Sequence, residues 1–440
     1  MEMKRYKLGE IAYFVEEKIS SDELTLNEYI TTDCLLQNKK GRTIATNLPP
    51  KSCSLTKFKK GDVLIGNIRP YLKKIWFAES AGGCSLDVLV LRAKKMEEAS
   101  FLYSLLLQDD FFDFVMKAPK GSKMPRGDKN HILTYPCFDI QNKIEVGSFI
   151  KSLDGKIVLN KRINARLEAM AKRLYDYWFV QFDYPDKNGK PYKTSGGKMV
   201  WNEVLKREIP EGWEVVEMSS VIKQINTGLN PRDNFILGNG KIKYVTVKNL
   251  TEEGHIDFSN CDLVNSEAQK IIHERSQIQT GDILFASICP LGRCYLIQDS
   301  PEEWDINESV FSIRPNIDRI TSEFLYTLLR ESYYVKKMTQ KATGSIFKGI
   351  RINDIEKIEI LLPPKDIINA FSKKTLPIFN YQLTIQKEIQ KLTDLRDRLL
   401  PLLMNGQVEV GTNNSSEFCN AKLGKQATAC NMNGQVEVEG

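Results

Sequence analysis

The chain has 440 residues, 42% of them hydrophobic and 27% charged, with a formal net charge of +6 at neutral pH. This is a globular composition with room for two or three cores, and it excludes collagen-like, low-complexity and generally disordered classes. No apolar run is long enough for a transmembrane helix, and the N-terminal MEMKRYKLGEIAYF lacks the apolar core of a signal peptide, so a soluble, cytoplasmic protein without membrane partners is expected.

In chain order, GDVLIGNI (61–68) and LDVLVLR (86–92) are short and β-branched, and they predict strands. ASFLYSLLLQDDFFDFVM (99–116) carries apolar residues at helical spacing after a capping-type serine, Ser100, and predicts a helix. The segment from Lys117 to Lys129 then places Lys120, Lys123 and Arg126 among glycines and prolines. Ile163, Leu167, Met170, Leu174 and Tyr177 follow at spacings of four and three, a heptad stripe predicting a long helix. Trp178 and Phe179 at its end read as packing residues, and Asp183 to Gly197 as an exposed connector. Strands return in IKYVTV (242–247), GDILFASI (281–288) and SVFSIRP (309–315), then a helix in SEFLYTLLRESYYVKKM (322–338), again after a capping-type serine, Ser322, and a second basic loop from Lys337 to Arg351. A second stripe, Ile378, Ile385, Ile389, Leu392, Leu399 and Leu403, predicts another long helix with Gln382 and Arg396 as polar exceptions and Pro377 near its start.

These elements repeat. GDVLIGNIRP at 61–70 returns as GDILFASICP at 281–290, YITTDCL at Tyr29 as YVTVKNL at Tyr244, and Gly121-Ser122 as Gly344-Ser345. The stripes also match, Ile163 with Ile385 and Met170 with Leu392. A repeat this long is a duplicated domain, since solenoid units are far shorter. The fold class expected is α+β: two tandem α/β domains separated by two long helices that pair as an antiparallel coiled coil, with a pseudo-twofold internal repeat. Each Gly-Asp pair reads as a turn feeding a strand, glycine supplying backbone freedom and aspartate a local hydrogen bond.

Catalytic signatures are missing. There is no phosphate-binding G-x-x-x-x-G-K-[ST], no H-E-x-x-H, no G-x-S-x-G and no Asn-Pro-Pro-Tyr-like tetrapeptide; three histidines leave few acid–base candidates. The nine cysteines include no Cys-x-x-Cys pair and are read as reduced, mostly buried thiols, with no metal site. The basic loops at equivalent places in both copies instead suit a phosphate backbone and base edges.

The connector YDYWFVQFDYPDKNGKPYKTSGGKMVWNEVLKREIPEGWEV, Tyr175 to Val215, resembles the central linker of specificity subunits of type I restriction–modification systems, and LRDRLLPLLMNGQVEV, Leu395 to Val410, resembles the end of their second helix. The resemblance covers essentially residues 1 to 410. It implies a non-catalytic, sequence-specific reader of double-stranded DNA in which two target-recognition domains each address one half of a split target. The helices would set the gap and dock two methyltransferase subunits. With restriction subunits added, the assembly would methylate adenine with S-adenosylmethionine or cleave DNA with ATP and Mg; those cofactors belong to the partners, and none to this chain.

The expected domains are 1–140 and 213–365 for target recognition, 141–182 and 366–405 for the spacer helices, 183–212 for the connector and 406–440 for a poorly ordered tail. The tail repeats MNGQVEV of 404–410 at 432–438. Candidate DNA-binding residues are Lys120, Ser122, Lys123 and Arg126 in the first copy, and Thr227, Asn230, Arg232, Lys248, Lys341, Ser345 and Lys348 in the second. Arg69, whose repeat partner is Cys289, would serve one half-site only, and the differences Arg69/Cys289 and Asn67/Ser287 read as two domains suited to unlike half-sites. The alternatives are a coiled-coil scaffold and a stand-alone DNA-modifying enzyme.

Overall fold

The computed structural model of the chain describes residues 5–121, 123–344 and 348–410, the side chain of Lys120 excepted; the tail expected to be poorly ordered lies, from 411 on, outside the described residues. The chain forms two compact units, one from residues up to 160 together with those from 389, the other from residues 161–388.

In the first unit, the central sheet runs in the order Ala12–Phe14, Val88–Ala93, Val63–Gly66, Ile75–Phe77, antiparallel throughout. A second sheet orders Lys18–Ser20, Ser54–Phe58, Gly82–Cys84 and Tyr29–Ile30, with its last pair parallel. The apolar run Val63–Ile65 alternates faces with the pleat. Val63 and Ile65 pack on Phe101, Leu102 and Phe111, whereas Leu64 joins Leu55, Phe58 and Ile30. Covering both faces is why this strand reads as a continuous apolar run.

The second unit repeats this plan. Its central sheet runs Ile222–Thr227, Val310–Pro315, Ile283–Ala286, Cys294–Leu296. Ile283 and Phe285 face one core with Phe324 and Leu325, and Leu284 and Ala286 face another with Val245 and Ile306. Parallel pairing of Ile242–Val245 with Trp304–Ile306 matches the Tyr29–Ile30 pair of the first unit. A two-stranded ribbon closes each unit, Arg5–Lys7 with Pro136–Phe138 and Glu214–Glu217 with Glu359–Leu362.

Where one helix pattern was read after Ser100 and after Ser322, the chain makes two helices each time, Ala99–Leu106 then Asp109–Val115, and Ser322–Arg330 then Ser332–Lys341. The serines lie inside the helices. Thr321 caps the third of these, accepting from the Phe324 N–H at 3.3 Å.

The long helices are Lys143–Tyr175 and Lys365–Met404. At ~1.5 Å per residue they are about 50 and 60 Å long. Contacts within the second unit show antiparallel pairing, where Gln382 donates to the Asn164 carbonyl at 3.5 Å and Phe371 lies 6.1 Å from Tyr175, centroid to centroid; in the first unit Arg396 meets Asp154 at 2.8 Å. Two expectations are corrected here. Pro377 lies inside the helix rather than at its start; the carbonyl deprived of its N–H partner is that of Lys373, and both residues are exposed. On the first helix, Met170 and Tyr177 are 54% and 39% exposed, and the buried stripe is Ala171, Tyr175 and Trp178. That face wins because the aromatic rings of the second unit lie there: Tyr175 is 5.9 Å from Phe324 and Trp178 is 6.1 Å from Phe371, centroid to centroid.

The first helix ends in one wide turn, Asp176–Val180, of π type, which rotates Trp178 and Phe179 together into this core. The following segment is more than an exposed connector. Tyr184 is buried and stacks on Tyr192 at 4.7 Å, and Asp183 accepts from the Thr194 N–H and hydroxyl at 2.8 and 2.6 Å. Its tip, Lys187 to Lys190, stays exposed. The second helix ends at Met404, Gly406 just beyond it takes a φ of 68° that suits glycine, and the first MNGQVEV copy then folds back to bury Val408 beside Leu403.

Candidate nucleic-acid interface

In both units the strand that follows the Gly-Asp turn leads to a basic loop. In the first, Gly61 takes a φ of 95°, and Asp62 turns inward to accept from the Lys59 N–H at 2.8 Å. The strand leaves the sheet at Asn67-Ile68-Arg69, and the loop is bonded to these residues: the Arg69 N–H donates to the Pro125 carbonyl at 2.8 Å, Ile68 bridges Arg126, and the Gly127 N–H donates to Asn67 Oδ1 at 2.9 Å. The loop itself is a ribbon pairing Pro119–Lys120 with Arg126–Gly127. Arg69, Lys120, Lys123 and Arg126 therefore come together at one end of the central sheet. Arg126 pairs with Asp87 at 3.0 Å; this exposed pair is worth at most about 1 kcal/mol, so Arg126 can be drawn to another anion.

The second unit uses the same anchoring. The Cys289 N–H donates to the Lys348 carbonyl at 2.8 Å, Ile288 bridges Gly349, and the Ile350 N–H donates to the Ser287 carbonyl at 2.8 Å. Lys341 ends its helix two residues before Thr343, which bridges Gly349 and closes the loop. Lys341 and Lys348 are exposed, whereas Ser122 and Ser345 lie outside the described residues. At the Asn67/Ser287 difference both side chains make bonds within the fold: Asn67 holds the Gly127 N–H, and the Ser287 hydroxyl donates to the Ser309 carbonyl at 2.7 Å.

The remaining candidates gather less tightly. Thr227 is the last residue of its strand, and its register against Phe311 puts it at the sheet end where Ala286 pairs with Val310. The Gly228 N–H donates to the Asn307 carbonyl at 3.2 Å, and the Asn307 N–H to the Val245 carbonyl at 2.9 Å, so three chain segments meet there. Asn230 and Arg232 follow on the next segment; the Asn230 carbonyl accepts from Asn234 Nδ2 at 3.0 Å, and Arg232 is exposed. Lys248 is turned aside to Asp262 at 3.2 Å.

The fold adds cations not singled out in the sequence. Arg275 donates from Nε to the Thr227 hydroxyl at 3.1 Å, and its helix is fixed by buried Asp305, which accepts from the Ser276 hydroxyl at 2.6 Å and from His273 Nδ1 at 3.1 Å. Burial raises the Asp305 carboxyl above its usual range. In the first unit, the Asn38 and Lys39 N–H groups donate to the Leu72 and Lys73 carbonyls, both at 2.9 Å. Asn38, Lys39, Arg69 and Lys73 all have φ between 51° and 60°. Such left-handed residues cost ~1 kcal/mol or more each, which the surrounding bonds offset. Asp109 binds Lys39 at 2.9 Å and Lys73 at 2.8 Å; partial burial pushes its carboxyl up, but the lysines prevail and hold it below the usual value. The run QNKKGR was a sequence signal for Lys39; nothing near Arg275 pointed to Thr227.

Among the described residues, no group of histidine, cysteine, aspartate and glutamate forms a metal site, and no helix is long and apolar enough to cross a membrane.

Residues 210–395 match the family model described as type I restriction modification DNA specificity domain. Over 93% of its length the chain is 27% identical to the type I restriction enzyme MjaIX specificity subunit of Methanocaldococcus jannaschii, covering 89% of that protein. The HindI specificity subunit of Haemophilus influenzae is 25% identical, with 92% of this chain and 99% of that one covered. A crystal structure of the type I restriction–modification S subunit from M. genitalium has the same fold, with a TM-score of 0.56 at 13% identity over 92% of this chain and 96% of that one. The duplicated fold is thus shared with a solved S subunit, and along nearly its whole length the chain is similar to specificity subunits of type I restriction–modification systems.

Proposed function

We propose that this chain, like the specificity subunits it resembles, recognises DNA sequence, and that it reads a split target with one half-site per unit, through the sheet ends that carry Arg69, Lys123 and Arg126 in the first unit and Thr227, Lys341 and Lys348 in the second. The observation that carries this reading is the anchoring of a basic loop to the strand-exit residues in both copies, at Arg69 N–H to Pro125 and Cys289 N–H to Lys348. A single domain reaches few base pairs, and each paired base contact discriminates by ~1–3 kcal/mol; two linked domains multiply that discrimination. The paired helices would fix the gap between half-sites and dock two methyltransferase subunits, with restriction subunits joining them. In that assembly S-adenosylmethionine, ATP and Mg act in the partners, and the chemistry is adenine methylation or DNA cleavage in the cytoplasm. This chain would carry no bond-making step.

The test is to express the chain with methyltransferase subunits and map methylated adenines in the host DNA. A split motif that disappears without this chain is expected. Methylation by the purified chain alone, or an unsplit motif, would count decisively against the reading.

A further inference from the structure

Each unit has a four-residue turn beside its basic loop, held by equivalent bonds. In the first unit this turn is Ser85 to Val88, closed by the Val88 N–H donating to the Ser85 carbonyl at 3.0 Å. In the second it is Asn307 to Val310, closed the same way at 3.2 Å. The third residue of each turn accepts from the strand-exit residue that backs the basic loop: the Asp87 carbonyl from the Asn67 N–H at 2.8 Å, and the Ser309 carbonyl from the Ser287 N–H at 3.0 Å. The backbones thus correspond, and both turns stand at the sheet end proposed to meet DNA.

The second residue of the turn does not correspond. It is Leu86 in the first unit, 74% exposed, and Glu308 in the second, also exposed and without hydrogen bond or ion pair among the described residues. Neither side chain serves its own fold: Leu86 joins none of the buried cores, and Glu308 caps nothing. A turn requires neither residue type at its second position, which accepts most side chains. Beside a cationic loop aimed at phosphates, a free carboxylate is repelled by the DNA backbone, so its favourable partner in a duplex is an amine donor on a base edge. Cytosine N4 in the major groove is that donor, and the thymine methyl is the matching contact for an exposed leucine.

We infer that Leu86 and Glu308 set specificity at one base pair in each half-site, Leu86 against a thymine methyl and Glu308 against a cytosine amine. The inference rests on the DNA-reading function proposed above. It is tested by selecting randomised duplexes with the chain bound to its methyltransferase subunits, using wild type, Leu86→Ala and Glu308→Gln. Each variant should relax one position, in different halves, with about tenfold loss of discrimination. Deoxyuridine in place of the thymine should weaken the wild type several-fold and leave Leu86→Ala unaffected. Motifs unchanged in both variants, or both changes in one half, would overturn the inference while leaving DNA reading intact. If the wild type selects no motif, the DNA-reading proposal fails with it. Both positions are exposed and Glu308→Gln keeps the side-chain shape, so folding is not at stake.

Discussion

Asp62 and Asp282 follow the glycines of the repeated Gly-Asp turns, and both are buried. Each binds an arginine in bidentate fashion: Arg92 donates to Asp62 at 2.7 and 2.8 Å, and Arg314 to Asp282 at 2.8 Å through both nitrogens. Removing one partner strands the other in a dry site, and because the arginines keep some solvent contact the cost is about 2–4 kcal/mol. Asp62→Ala and Asp282→Ala should each lower stability by that amount in denaturant titrations; an unchanged midpoint would refute the pairing. The cysteines give a second residue-scale prediction. Burial pushes the Cys84, Cys137 and Cys294 thiols up to about 12, whereas Cys289 is exposed next to the Lys348 loop. Iodoacetamide at pH 8 should therefore label Cys289 and spare those three, and target DNA should protect Cys289 in peptide mapping. Equal labelling with and without DNA would remove the loop from the interface.

Among the elements, the long helices carry the least expected chemistry. Arg396, read as a polar exception in an apolar stripe, is buried and meets Asp154 at 2.8 Å, while the Tyr103 hydroxyl donates to the same carboxylate at 2.8 Å. Burial and the neighbouring Asp154 charge hold the Tyr103 hydroxyl well above its ordinary pKa, so it stays a donor at physiological pH. A buried charge pair of this kind fixes register more than it adds stability. Arg396→Ala should cost about 3 kcal/mol by leaving Asp154 short of its partner, and replacing Asp154→Leu and Arg396→Met together with Tyr103→Phe, which removes the hydroxyl left unpaired, should recover most of it in thermal unfolding. A combined variant as unstable as the single one would show that packing, not charge, dominates here.

For the whole molecule, duplication is the governing fact. Binding to DNA should fall with salt at a log–log slope near −0.9 for every phosphate contacted. Lys348→Ala and Lys123→Ala should each reduce that slope by about one, and the pair by about two if both units bind at once. Salt-independent binding would favour the scaffold alternative. The two-copy plan was legible because framework residues repeat in place: the Gly-Asp turns with the strands they feed, the segments from Tyr29 and Tyr244, and the Gly-Ser pairs at 121 and 344. These signals are local, set by backbone conformation and by the period of the pleat. The sequence by itself therefore determined the repeat, the helices and the basic loops. Only the tertiary structure decided which face of each helix is buried, that Asn67 and Ser287 anchor loops, and that Leu86 and Glu308 occupy matching turns. Those outcomes depend on what distant segments place against a residue, such as Phe371 against Trp178 or Pro125 against Arg69, and no local period encodes such contacts.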